Sequence, residues 1–286
     1  MIYTNKKLLL IDGHNYLFRA YFGIPPEVKL PNGLPGNAVY GFFAFLRRAV
    51  QFVRPELTAV IFDSETGIQT KQLIDNNYKA NRDRAPALMF EQLPTIKALL
   101  SAIGILSVEN PSEEADDIIG SLAVHFGKEG GRCYISSSDH DFLQLLSGSV
   151  QVVKEKRGQH VLVTPDIFNQ EFNLHPSQYV DYLALMGDAS DNIKGIPRVG
   201  PKTARRLLET YNSLDAILSA AHVALAGKSI NVREHQQAVT RNRSLLTINT
   251  SLNVQDYVTG LKEEVEPSLL QYTTNQLLKQ HSLCQP

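Results

Sequence analysis

Nine acidic residues are candidates for divalent-metal chemistry: Asp12, Asp63, Glu114, Asp116, Asp117, Asp139, Asp141, Asp188 and Asp191. Seven fall in short clusters, Glu114-Ala-Asp116-Asp117, Asp139-His-Asp141 and Asp188-Ala-Ser-Asp191, while Asp12 and Asp63 each close an apolar run. Hard cations such as magnesium or manganese take oxygen ligands, keep several waters and are usually held by carboxylates. Two such ions about 3.5–4 Å apart need several carboxylates converging on one pocket. Without metal, carboxylates at such close quarters repel and raise one another's pKa values. No matching set of histidines and cysteines accompanies them, which speaks against zinc.

The bases gather elsewhere. Lys194, Arg198, Lys202, Arg205 and Arg206 fall within thirteen residues that contain no acid, although the net charge is only −1. An acidic focus beside a basic surface suits a metal-dependent enzyme acting on a polyanion. From charge alone, two ordinary solvated faces explain the pattern equally well.

The elements that must carry these residues alternate in type. Leu8–Ile11, Leu57–Phe62, Ile105–Val108 and Cys133–Ile135 read as buried strands. Ala38–Val53, Phe90–Ile103, Ala115–Phe126 and a segment from Phe142 read as helices. Continuous apolar strands alternating with helices predict an α/β fold whose mostly parallel sheet is covered on both faces. Three strands run into an acid, at Asp12, Asp63 and, after a serine run, Asp139. Ligand sites in such sheets lie beyond the carboxyl ends of the strands, so these acids are expected to converge. A strand-end Asp by itself is more often a cap or turn former. After about Gln178 short helices separated by Gly/Pro turns predict a smaller helical subdomain.

With 286 residues, 43% of them apolar and 20% charged, the chain is globular, which excludes disorder and collagen-like repeats. No run approaches eighteen apolar residues, and the N-terminal apolar run is too short for a signal peptide. Two cysteines, Cys133 and Cys284, make no disulfide framework. These features predict a reduced, cytoplasmic protein with no membrane partner.

Five motifs, LLLIDGHNYLFRAY (8–21), YKANR (78–82), EEADDIIGSLA (113–123), SSDHDFLQL (137–145) and GDASDNIKGIPRVGPKTA (187–204), occur in this order. Together they resemble the 5′-nuclease (flap endonuclease) family, above all the 5′–3′ exonuclease domain of bacterial DNA polymerase I and its free-standing and phage relatives. The resemblance implies a nuclease core with PIN-like topology over 1–177, a helical arch at about 66–88, a helical duplex-binding subdomain over 178–250 and a C-terminal segment over 251–286. It implies two magnesium ions, with manganese as a substitute. Asp12, Asp63, Glu114 and Asp116 match the first metal site, Asp139 is shared or close by, and Asp141, Asp188 and Asp191 match the second. Asp117 matches a family acid of less settled role, either ligand or structural. His14 and His140 flank these acids as polar neighbours or DNA contacts.

Within the arch, Lys71, Tyr78, Lys79, Arg82 and Arg84 sit among polar residues without a core pattern. The resemblance makes Tyr78 a stacking face for an unpaired base, and Lys79 and Arg82 cations at the scissile phosphate. Catalysis is thereby assigned to Lys79 and Arg82 with Asp12, Asp63 and Asp139. Residues 195–206 resemble the family's helix–turn–helix duplex anchor. There Arg198, Val199, Gly200, Pro201, Lys202, Thr203, Arg205 and Arg206 are expected to hold phosphates without reading bases. The family also places a potassium ion there on backbone oxygens, at positions matching Leu185, Met186, Lys194, Ile196 and Val199. The expected activity is structure-specific hydrolysis of DNA carrying a 5′ flap, a 5′ overhang or a nick, by a monomer, leaving 5′-phosphate and 3′-hydroxyl ends. A PIN-type ribonuclease and a non-catalytic junction binder are the alternatives; the motif at 187–204 argues against the first and the full acid set against the second.

Overall fold

The structure is a computed structural model and describes residues 3–64, 70–81, 85–156, 158–220, 223–225, 228–230 and 232–261. Six strands form one sheet: β1 (Lys7–Asp12), β2 (Leu57–Asp63), β3 (Leu106–Asn110), β4 (Arg132–Ser136), β5 (Val150–Lys156) and β6 (Gln159–Val163). Their spatial order is β3-β2-β1-β4-β5-β6, parallel throughout except for the antiparallel edge β6. Leu8, Leu9, Leu10 and Ile11 of the central strand β1 are fully buried on both faces, as a parallel sheet covered by helices requires. Each such side chain contributes about 1.5–3 kcal/mol by leaving water.

One face is covered by α1 (Gly13–Gly23), α2 (Asn37–Val53) and α5 (Leu93–Ala102), which pack on Leu9, Ile11, Val60 and Phe62. The other carries α6 (Ala115–Lys128) against Leu8, Leu10, Ile61 and Ile135. The chain leaves β1 toward β2 and β3, then crosses to β4 and β5 on the opposite side. The direction reverses between β1 and β4, so their carboxyl ends frame the crevice where such sheets bind ligands. The same core continues into α8 (Tyr179–Met186), α9 (Pro201–Tyr211), α10 (Leu214–Ser219) and α11 (Gln236–Leu246). No described helix is long and apolar enough to cross a membrane.

Two expectations change. The single helix expected over Phe90–Ile103 is a short turn at Ala87–Phe90 followed by α5. Pro94 occupies the first turn of α5, where its missing N–H costs nothing, and starts a new helix. Gln92, buried at the break, accepts hydrogen bonds from the Ala38 and Val39 N–H groups and so caps α2. The helix expected from Phe142 is one 3-10 turn, Asp141–Leu145, because Ser147-Gly148-Ser149 turns the chain directly into β5. Beyond residue 261, the C-terminal segment and Cys284 lie outside the described residues.

Candidate metal centre and nucleic-acid interface

Asp12, at the end of β1, caps α1 by accepting the Asn15 N–H at 3.0 Å, and its other oxygen accepts the Ser137 hydroxyl at 2.7 Å. Ser137 also accepts the Asp139 N–H at 3.0 Å, and Asp139 accepts the Asp141 N–H at 2.9 Å. The serine run after β4 thus sets Asp12, Asp139 and Asp141 into one hydrogen-bonded chain across the crevice. Asp63, at the end of β2, accepts the Ala115 N–H at 2.9 Å. A strand-end carboxylate therefore caps α6, the helix that carries Asp116, and favours its positive dipole end. His14 Nδ1 accepts the Asp63 N–H at 3.0 Å, which commits that ring to orienting β2.

The electrostatics match this crowding. Burial first, then Asp139 and Asp63, pushes the Asp12 carboxyl up to about 7. Enclosure by protein, followed by Asp139 and Asp12, holds Asp116 well above the carboxylate range. Asp141 is likewise pushed up to about 7, by burial and then by Asp139 and Asp191. It joins the first group to the second, whose Asp188 accepts the Ser190 N–H at 2.7 Å and whose Asp191 is buried. A cavity of about 430 Å³ opens here, lined by Asn15, Asp139, His140, Asp141 and Asp188 among others.

Two lysines approach the acids. Lys79 Nζ lies 3.9 Å from Asp191, and Lys71 Nζ lies 3.1 Å from Glu114. Lys71 had no signal beyond its place among scattered arch charges, and its burial beside Glu114 is a finding of the structure. Asp117 points elsewhere: it accepts the Asn249 N–H at 2.8 Å and fastens the chain after α11 onto α6.

The donor set tests the fit of the implied metals. Every gathered ligand is a carboxylate oxygen, several are buried, and burial followed by like charge raises the pKa values of Asp12, Asp116 and Asp141. Among the described residues, no three His, Cys, Asp or Glu side chains stand close enough to share an ion directly. Hard divalent cations that retain waters fit such a set.

The arch residues differ from expectation. Tyr78 is 4% exposed and packs into the core, so the open stacking face expected of it is closed. Its turn is tied down on both sides, by Asn192 Nδ2 donating to the Asn77 carbonyl at 2.8 Å and Asn81 Nδ2 donating to the Ala189 carbonyl at 3.1 Å. The Lys79 N–H donates to the Asp191 carbonyl at 3.0 Å, and Lys79 Nζ covers the Tyr78 ring at 4.9 Å from its centre. Arg82 and Arg84 lie outside the described residues, as do 65–69 of the arch.

At the expected duplex anchor, Gly200 precedes α9 and Pro201 stands in its first turn. Lys194, Arg198, Lys202 and Arg206 are exposed, Thr203 and Arg205 are half-buried, and Val199 is buried. The anchor begins at the short pair β7 (Gly187–Asp188) and β8 (Ile193–Lys194). Here Gly187 adopts φ +85, and a Cβ on Gly195 would meet the Met186 carbonyl carbon at 2.2 Å, so the two backbones cross in a contact closed to side chains. Of the carbonyls matched to potassium, Leu185 accepts the Ile196 N–H, Ile196 accepts the Val199 N–H, and Lys194 accepts Asn242 Nδ2.

Comparison with known proteins places this architecture. Residues 7–173 match the family model of the 5′-3′ exonuclease N-terminal resolvase-like domain, and residues 174–266 that of the 5′-3′ exonuclease C-terminal SAM fold. A 5′-3′ exonuclease of Aquifex aeolicus is 38% identical over 213 residues, covering 74% of this chain and 72% of that protein. DNA polymerase I of Mycobacterium leprae is 36% identical over 246 residues, which is 85% of this chain but 27% of the polymerase. Among solved structures, the T5 D15 protein co-crystallized with metal ions superposes with a TM-score of 0.69 at 19% identity, covering 96% of this chain and 99% of that one. The chain belongs to the 5′-3′ exonuclease family, and is a nuclease with that family's two-part fold.

Proposed function

We propose that this nuclease is a magnesium-dependent, structure-specific 5′ nuclease acting on DNA with a 5′ flap, overhang or nick. One observation carries the reading: acids from β1, β2, α6, the serine turn after β4 and the 187–191 loop meet at the sheet's switch point, beside an exposed basic turn. Asp12, Asp63, Glu114, Asp116 and Asp139 would hold one divalent ion and Asp141, Asp188 and Asp191 a second, largely through waters. Bound ions would supply an activated water and charge stabilisation for the leaving 3′ oxygen. Asp117 serves to hold the 247–250 segment in place. Lys79 and Arg82 bring positive charge to the scissile phosphate, and ordered dipoles around the acids need no rearrangement during reaction. Lys194, Arg198, Lys202 and Arg206 grip duplex phosphates irrespective of sequence. A potassium ion on the turn would use the second lone pairs of the Leu185, Lys194 and Ile196 carbonyls, with Met186 and Val199.

Similarity supports the substrate class: one T5 D15 flap endonuclease structure, with a TM-score of 0.70, is described as a pseudo-enzyme-product complex with DNA and metal ions. The test is cleavage of a 5′-labelled flap duplex and its RNA-flap counterpart, with magnesium and with chelator. We expect cutting near the junction in magnesium only, leaving 5′-phosphate ends. Cleavage of RNA alone would favour the PIN-type reading, and binding without cleavage the junction binder.

A further inference from the structure

Helix α3 (Thr70–Ile74), at the base of the arch, is packed inside out. Its lysine is buried, Lys71 at 7% exposure, while Leu73 is 80% and Ile74 50% exposed. A five-residue helix has little stability of its own. It gains little from apolar burial here, so polar contacts must fasten it. Two are present: Lys71 to Glu114 at 3.1 Å and Asp75 to Arg241 at 3.2 Å. The first reaches the N-terminus of α6, where Asp116 and Asp117 add to the field that Lys71 feels. The second is a more open pair, on α11, of a kind that adds little to stability.

We propose that Lys71 is a built-in counter-cation: its ion pair with Glu114 supplies part of the positive charge that a divalent ion would bring and, by the same contact, docks the arch base. The inference rests on the metal-site reading above. A divalent ion at Glu114 and the Lys71 ammonium would share one carboxylate and repel each other at short range. Metal binding therefore loosens α3, and a docked α3 weakens metal binding by the same factor. The sign separates this role from its rival. A lysine that merely orients Glu114 would strengthen metal binding, and its loss would weaken affinity, as removal of supporting partners usually does.

The experiment compares the full chain with Lys71→Met, which keeps the length and removes the charge, and with Lys71→Arg, which keeps the charge. Manganese alone, without DNA, is titrated by calorimetry, and melting is followed with chelator and with saturating manganese. Lys71→Met should melt lower than the parent in chelator and bind manganese at least about tenfold more tightly, within the usual range of coupling between sites. Its gain in melting temperature on adding manganese should exceed the parent's, and Lys71→Arg should behave as the parent. Equal destabilisation with and without manganese, or weaker binding, overturns the proposal while leaving the nuclease reading intact; a parent that binds no manganese overturns both. If Lys71→Met does not fold, hydrogen exchange on the parent decides: manganese should speed exchange in residues 70–75, and unchanged or slower exchange there refutes the inference.

Discussion

Lys202 and Arg206 lie four residues apart on α9, on one face and about 6 Å apart along the axis. Both are exposed, and neither has an ion-pair partner among the described residues. If each neutralises one phosphate, replacing both by alanine removes about 1.8 from the slope of log K against log salt, at about 0.9 per contact. Between 50 and 200 mM salt, a fourfold change, the parent's affinity should then fall about twelvefold further than the variant's. Substitutions at such exposed positions usually alter stability by less than about 0.5 kcal/mol, so melting serves as the control. Fluorescence anisotropy with one labelled flap duplex over a salt series measures the slope, and a second duplex of unrelated sequence should give the same loss. Cleavage at saturating enzyme should change far less than affinity, since the acids and Lys79 are untouched. Parallel salt dependences for parent and double variant would refute the anchor.

Further outcomes are expected at the acids and the crossing backbones. Asp139→Asn should reduce single-turnover cleavage in magnesium by orders of magnitude while flap binding in chelator stays within about twofold; near-normal turnover would remove Asp139 from the metal set. The folded pKa of Asp12, about 7, lies above its unfolded value, so the folded protein holds the extra proton and Asp12's contribution to stability is lost as pH rises through the window from about 4 to 7. In chelator, Asp12→Asn should therefore gain on the parent by up to about 1.4 kcal/mol per pH unit across that window, read by urea unfolding; a constant difference would show that Asp12 titrates normally. Gly195→Ala places its Cβ 2.2 Å from the Met186 carbonyl carbon, a backbone atom that cannot swing away. A loss of about 1–3 kcal/mol is expected, lowering the melting temperature by several degrees; an unchanged melt would mean that the crossing relaxes freely.

The parts of the fold legible in the sequence were those where one period dominates. β1, β2 and β4 have mostly apolar interiors because helices cover both their faces, and each leads into an acid of the site. β5 and β6 went unread because VQVVKEK and QHVLV mix half-buried polar residues with apolar ones at the sheet edge, where neither strand nor helix pattern is clean. The motif acids were legible by type and spacing, but not the serine turn that holds three of them. Tyr78 and Lys71 were misjudged or passed over for a common reason. The resemblance made Tyr78 an open stacking face and Lys71 was only one of the scattered arch charges, while long-range contacts with Asp191 and Glu114 draw both inward.

The distances in sequence that the pocket closes set when it can exist. Residue 12 meets 137, residue 63 meets 115, and residue 79 meets 191. None of these contacts is local, so each waits for the strands between to pair and for loop-closure entropy to be met. On a ribosome, β1 and β2 emerge with Asp12 and Asp63 long before the 187–191 loop, and the early chain carries acids without a partner set. Cutting competence should thus arrive abruptly, once the 187–191 loop has been made and has folded onto the sheet.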